Sequence, residues 1–191
     1  ALTQALANLA LLTGKVGRPN SGLIALLPGG NSRGALDMGV RPDAGPAGTA
    51  SATTGLSARD MWAAAAEGRV RGMYIAGQNP AKSSPAIAEA LAQLEFLVVQ
   101  DLFLTETAQL ADVVLPAASY VEKSGTFTNL ERRLQQVNRA EEPYGESRPD
   151  WEILVEVEKK MGGSLTYGSV RDIIAEIRST VPLYAGLAVG A

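Results

Sequence analysis

Val70-Arg71-Gly72-Met73-Tyr74-Ile75-Ala76-Gly77-Gln78-Asn79-Pro80 is a short apolar run that stops on a polar turn. Further along, Phe96-Leu97-Val98-Val99-Gln100-Asp101 repeats the design, and Asp112-Val113-Val114-Leu115-Pro116 gives a third run. Near-continuous apolar runs of this length read as strands buried on both faces, the mark of a parallel sheet. Between them lie helical stretches. Ser84-Pro85 opens one that runs to about Leu94, with Ser as cap and Pro at the first helical position, and Thr105 caps a short one ending at Leu110. The order strand–helix–strand–helix–strand predicts an open α/β unit with helices on the faces of a parallel sheet. Ligands of such sheets bind beyond the carboxyl ends of the strands. Two polar strand ends in succession, at Gly77-Gln78-Asn79-Pro80 and at Gln100-Asp101, therefore predict a nucleotide-like site.

Outward from this unit, Leu2, Leu6, Leu9 and Leu12 share one face of an opening helix that Gly14 and Gly17 stop. Leu23 to Leu27 could form a short strand. Pro28 to Leu56 is dense in Gly, Pro, Ala and Thr and reads as one long loop, well beyond the ~15 residues that are usual without secondary structure. Its second half, residues 43–55, is expected to be flexible. Ser57 caps a helix from Ala58 to Glu67. Gly125 to Arg139 reads as a turn and a polar extended or hairpin segment, and Glu141 to Arg148 as a loop. Pro149-Asp150 starts a helix whose inward face is Trp151, Leu154, Val155 and Met161. Ser169 caps a last helix carrying Val170, Ile173, Ile174 and Ile177, and beyond Tyr184 the tail is weakly patterned.

Composition removes whole classes of chemistry. There is no cysteine and no histidine among the 191 residues. Disulfides, cysteine-held iron–sulfur clusters, thiolate zinc sites, Ser–His–Asp triads and Cys–His dyads are all impossible within them. A net charge of −3 argues against nucleic acid as a partner. No apolar run approaches the ~20 residues of a membrane span, so no direct membrane insertion is expected. The chain opens at Ala1 inside what reads as a helix. It is expected to be a piece of a longer polypeptide, a processed mature N-terminus being the alternative.

The individual residues leave choices open. Gln78 offers an amide donor and acceptor suited to a sugar or base edge, or is simply part of a turn leaving a strand. Asp101 could accept from ribose hydroxyls or a guanine N1–H and amino group, or act as a solvated cap. Gly29-Gly30-Asn31-Ser32-Arg33-Gly34 looks superficially like a phosphate loop, with Arg33 as a bidentate donor, but lacks the Gly-Lys-Ser/Thr ending. Glu131-Arg132-Arg133 reads as a solvated charged face.

Read in order, four stretches resemble the molybdopterin oxidoreductase family: Gln100 to Ala108, Ala111 to Pro116, Glu122-Lys123-Ser124-Gly125-Thr126-Phe127-Thr128-Asn129-Leu130-Glu131-Arg132-Arg133, and Arg148 to Ile153. Asn8 through Pro19 and Asn31 to Gly39 match its preceding segment, so the resemblance covers almost the whole chain. Two branches look similar. One is the formate dehydrogenases; the other is the family's representative in the respiratory NADH:quinone oxidoreductase (complex I), the complex I subunit that keeps this fold. Arg18 to Ile24 and Val181 to Gly186 favour the complex I branch. So does Leu27-Pro28-Gly29-Gly30-Asn31, where formate dehydrogenases carry Arg-Gly-Gln-Asn-Asn, because Leu27 and Gly29 replace an Arg and a Gln beside the metal and pterin.

The resemblance implies the family's third domain, a dinucleotide-binding-like parallel sheet with helices on both faces, as a single domain over residues 1–191. It implies a C-terminal-half fragment of that NADH:quinone oxidoreductase subunit: a structural domain of the peripheral arm without a redox centre, inactive alone, on the cytoplasmic side of the plasma membrane. Its partners would be other domains of the parent and other complex I subunits. The alternative is the guanosine-binding part of a bis-pterin molybdenum or tungsten enzyme such as formate dehydrogenase. No catalytic residue, metal ligand or cofactor is expected within the fragment itself. The parent family's iron–sulfur clusters lie in missing segments, and Gln78, Asn79, Asp101 and Ser119 would touch molybdopterin guanine dinucleotide only if the pterin site is retained.

Overall fold

The computed structural model describes residues 2–186; the end of the weakly patterned tail lies outside them. In chain order the elements are α1 (Leu2–Leu12), α2 (Ser32–Asp37), α3 (Ala58–Ala66), β1 (Gly72–Ala76), α4 (Pro80–Ser83), α5 (Pro85–Leu91), β2 (Phe96–Asp101), β3 (Val113–Pro116), β4 (Gly125–Thr128), β5 (Leu134–Val137), α6 (Asp150–Lys160) and α7 (Val170–Thr180). Single turns of tighter helix occur at Pro46–Gly48, Ala108–Leu110 and Pro182–Tyr184.

The three apolar runs form a parallel sheet in the order β1-β2-β3, with Ile75 opposite Val99 and Val99 opposite Val114. Side chains alternate between faces along each strand. One face gathers Ile75, Leu97 and Val99, which pack with Leu91 of α5 and Ala108, flanked by Trp62 of α3 and Ile87 of α5. This is the core, and the α/β fold expected from the strand–helix alternation is the one observed. Local chemistry agrees with it. The Ser57 hydroxyl accepts the Asp60 N–H at 3.3 Å and donates to the Asp60 carboxylate at 2.6 Å, capping α3. The Thr105 hydroxyl accepts the Ala108 N–H at 3.2 Å.

The opposite face differs from the expectation of strands buried on both sides. Among the described residues its only fully buried side chain is Gln100, reached by Asp150 at the start of α6, while Tyr74, Phe96 and Val113 remain exposed. In a three-stranded sheet β1 and β3 are both edges, so apolar composition alone does not ensure cover. The polar hairpin is β4–β5, antiparallel and separate from the main sheet, with Thr126 opposite Gln136.

Three other expectations are corrected. Leu23–Leu27 forms no strand: it has no ladder partner among the described residues, and Leu23, Ile24 and Leu26 are exposed. The long loop from Pro28 is broken by α2, which Arg33 and Asp37 brace one turn apart at 2.6 Å. The same loop also holds the Pro46–Gly48 turn and a single bridge between Ala44 and Ala50. The inward face of α6 is Ile153 and Val155 with Trp151 half-buried, whereas Leu154 and Met161 are exposed. No helix among the described residues is long and apolar enough to cross a membrane.

Candidate functional site

The carboxyl ends of β1, β2 and β3 form one rim, and all four residues singled out by sequence lie along it. Gly77 continues the ladder through its N–H to the Gln100 carbonyl at 2.8 Å, then turns the chain with φ of 61°, a left-handed angle that glycine adopts without strain. Gln78 follows, exposed and free of hydrogen bonds among the described residues. Its amide is therefore open to a ligand.

Asn79 is turned inward. Its Oδ1 accepts from the Thr107 N–H at 3.2 Å and the Thr107 hydroxyl at 2.8 Å, and its Nδ2 donates to Glu106 at 2.6 Å. Thr107 is fully buried and in turn accepts the Ala81 N–H at 3.0 Å. Asn79 thus ties the turn after β1 to the loop after β2. It positions the rim, and the same bond to Asn79 is the main reason the Glu106 carboxyl sits below its ordinary range.

Asp101 ends β2 half-buried. One carboxylate oxygen accepts the Leu102 N–H at 2.7 Å, and the other has no partner among the described residues. Its carbonyl accepts the Ala117 N–H at 3.0 Å, which carries the β2–β3 pairing past Pro116. Ser119 then lies in a cleft of about 430 Å3, with Leu102 and Phe103 from the β2 side, Pro116 and Ala117 from the β3 side, and Tyr144. The Ser119 N–H donates to Glu122 at 2.6 Å, and this bond is the leading cause that holds the Glu122 carboxyl low. Ser119 lines this cleft, with Glu122 and Glu146 also on its wall; Asp101 ends the strand next to the cleft residue Leu102, while Gln78 and Asn79 belong to the neighbouring turn on the β1 side.

Arg33 does not serve as a free phosphate donor. It pairs with the buried Asp37, whose other oxygen accepts from the Tyr184 hydroxyl at 3.3 Å. Asn31 is likewise engaged, accepting the Thr128 N–H at 2.8 Å. A Cβ at Gly34 would meet Asn31 Oδ1 at 2.3 Å, so glycine is required there for packing. The glycine-rich stretch is a clasp between α2 and the hairpin.

Sequence reading missed a polar chain beneath the rim. Gln100 is 1% exposed; its Oε1 accepts from the Tyr74 hydroxyl and its Nε2 donates to Asp150 at 2.7 Å. Asp150 also pairs with Lys123. Burial, and secondarily the Asp150 charge, push the Tyr74 hydroxyl above its ordinary pKa. The only sequence signal was a glutamine at the end of an apolar strand, on the face opposite Val99.

The profile of the molybdopterin oxidoreductase family matches residues 1–160. The chain belongs to the molybdopterin oxidoreductase family. It is 42% identical over 94% of its length to the F420-dependent formate dehydrogenase 1 subunit alpha of Methanococcus maripaludis. It is 34% identical over 96% of its length to formate dehydrogenase H of Escherichia coli. It spans only 30% and 29% of those two relatives. Acetylene hydratase from Pelobacter acetylenicus shares the fold, with a TM-score of 0.52 at 24% identity, over 58% of this chain and 16% of its own.

These findings overturn the expectation of a complex I fragment, and with it the NADH dehydrogenase and quinone context. The alignments that overturn it span 94–96% of the chain. The complex I reading rested on three short stretches, Arg18 to Ile24, Leu27 to Asn31 and Val181 to Gly186, a small part of the chain.

The family implies a molybdopterin cofactor, and the rim fits part of it. An open amide at Gln78, a carboxylate oxygen at Asp101 without a partner among the described residues and the cleft beside Ser119 suit a nucleoside end. Among the described residues no group of three or more His, Cys, Asp or Glu side chains is placed to hold a metal ion.

Proposed function

We propose that this chain is part of the alpha subunit of a formate dehydrogenase within the molybdopterin oxidoreductases, and that its strand-end rim forms one wall of the cofactor's guanosine site. The observation that carries the reading is the identity of 34–42% to formate dehydrogenase alpha subunits and formate dehydrogenase H over 94–96% of the chain. The bound cofactor would supply the metal for the family's redox chemistry. The residues here bind and orient. Asp101 accepts from the guanine N1–H and amino group, Gln78 adds an amide at the sugar or base edge, and Ser119 lies at the cleft that shelters the ring. Asn79 acts through Thr107 by holding the β1 turn against the β2 loop.

Calorimetric titration of the 191-residue chain with GMP and AMP tests the site. Saturable GMP binding with weaker AMP binding is expected, and Asp101→Ala should lower GMP affinity roughly tenfold while leaving AMP unchanged. Equal affinity of wild type and Asp101→Ala for GMP refutes the assignment. Formate-driven dye reduction by the full-length parent tests the activity, and its absence in a cofactor-loaded preparation refutes the formate reading.

A further inference from the structure

A second cleft lies away from the strand-end rim. It measures about 900 Å3 and separates the open end of the β4–β5 hairpin from α7. That is the volume of a site for a small organic molecule. Trp151 at the start of α6, Val137 of β5, and Val170 and Ile174 of α7 give it an apolar lining. Arg171 and Arg178 line it as well, and no carboxylate among the described residues does.

That charge arrangement stands out in a chain of net charge −3. Neither arginine forms a salt bridge or side-chain hydrogen bond among the described residues, although eight ion pairs occur elsewhere. The two lie seven residues apart on α7, two turns and therefore one face. The helix end itself is already served, because Asp172 accepts the Gly168 N–H and the Ser169 hydroxyl, each at 3.0 Å. The uncompensated positive charge is that of the guanidiniums. Gln136 donates to Asn138 at 2.8 Å along the β5 side of the hairpin mouth, which leaves the Gln136 side-chain carbonyl and the Asn138 amide group to meet a ligand.

We infer that this cleft binds an aromatic organic anion, its ring against Trp151, Val170 and Ile174 and its charged group between Arg171 and Arg178. Guanidiniums are planar forks suited to phosphate or carboxylate oxygens, and an indole face accepts a second ring by offset stacking. The assignment does not depend on the guanosine reading of the strand-end rim, since the two sites share no residue.

The chain contains two tryptophans, so the indole N–H signals of Trp62 and Trp151 report separately in an amide NMR titration. The probe is 1-naphthyl phosphate, with inorganic phosphate and neutral 1-naphthylmethanol as comparisons. A saturable shift of the Trp151 indole and of the Ser169–Arg171 amides is expected, with Trp62 and the Gln78–Asn79 amides unmoved. Arg171→Gln and Arg178→Gln should each weaken binding roughly tenfold, and both comparison compounds should bind at least that much more weakly. Both arginines are exposed, so the unshifted Trp62 signal verifies that each variant is folded. Absence of a saturable Trp151 shift, unchanged affinity in the double variant, or equal binding of either comparison compound would each overturn the inference.

Discussion

Replacing Asn79 by alanine tests whether the strand-end rim is held together as its geometry indicates. The substitution removes both acceptor contacts to Thr107 and the donor to Glu106. Glu106 is exposed and regains its bond from water, so that loss counts for little. Thr107 is fully buried, and its N–H is left without a partner while its hydroxyl loses the acceptor for its proton. An orphaned buried donor costs about 1–3 kcal/mol and a lost neutral hydrogen bond about 1 kcal/mol. Water entering beside the half-buried position recovers part of this, leaving about 2 kcal/mol. For a domain of this size, with a urea slope near ~2 kcal/mol/M, the unfolding midpoint should fall by about 1 M. Asn79→Asp sharpens the test. Its carboxylate still accepts from Thr107 but faces Glu106 across the former hydrogen bond. That variant should be destabilised at neutral pH, recover as pH falls through the carboxylate range, and be rescued by Glu106→Gln. A urea midpoint for Asn79→Ala within about 0.2 M of wild type, using the same ~2 kcal/mol/M slope, would refute the role assigned to the side chain.

Leu97→Ala, on the core-facing side of the sheet and 1% exposed, should cost about 2–5 kcal/mol by urea denaturation, against little change for the exposed Leu104→Ala. Tyr74 has its pKa raised by folding, so its contribution to stability is present below the unfolded tyrosine value near ~10 and is lost as pH rises through the folded value. Tyr74→Phe should flatten the alkaline decline in stability and remove one late-titrating phenol from the ultraviolet absorbance titration. Glu122 has its pKa lowered, chiefly by the Ser119 N–H; its contribution is present above the unfolded glutamate value near ~4.3 and lost as pH falls through the lower folded value. Glu122→Gln should therefore weaken the acid-side dependence of the urea midpoint.

The parallel sheet was legible because its signals are local. Apolar runs at β1, β2 and β3, the Ser57 cap and the proline at the start of α5 each act within a few residues of themselves. The polar strand ends at Gln78 and Asp101 could be placed on one rim for the same reason: parallel strands present all their carboxyl ends on one side. The family was legible too, through motifs spread along the chain, whereas its branch was misread from three short stretches.

What each polar side chain does on that rim was not legible. Asn79 and Gln78 are neighbours in sequence and look alike, yet one is fixed to a buried threonine and the other is open. Arg33 looked free and is held by Asp37. Gln100 looked incidental and is the most buried polar link between the sheet and α6. The two arginines of α7 became a feature only when the hairpin closed a cleft beside them. Strands and helices can be read from residue order because hydrophobic period and capping are properties of short stretches. Which donors and acceptors remain unpaired is settled in three dimensions, because their partners lie on elements distant in the chain, and folding alone brings those elements within hydrogen-bonding distance.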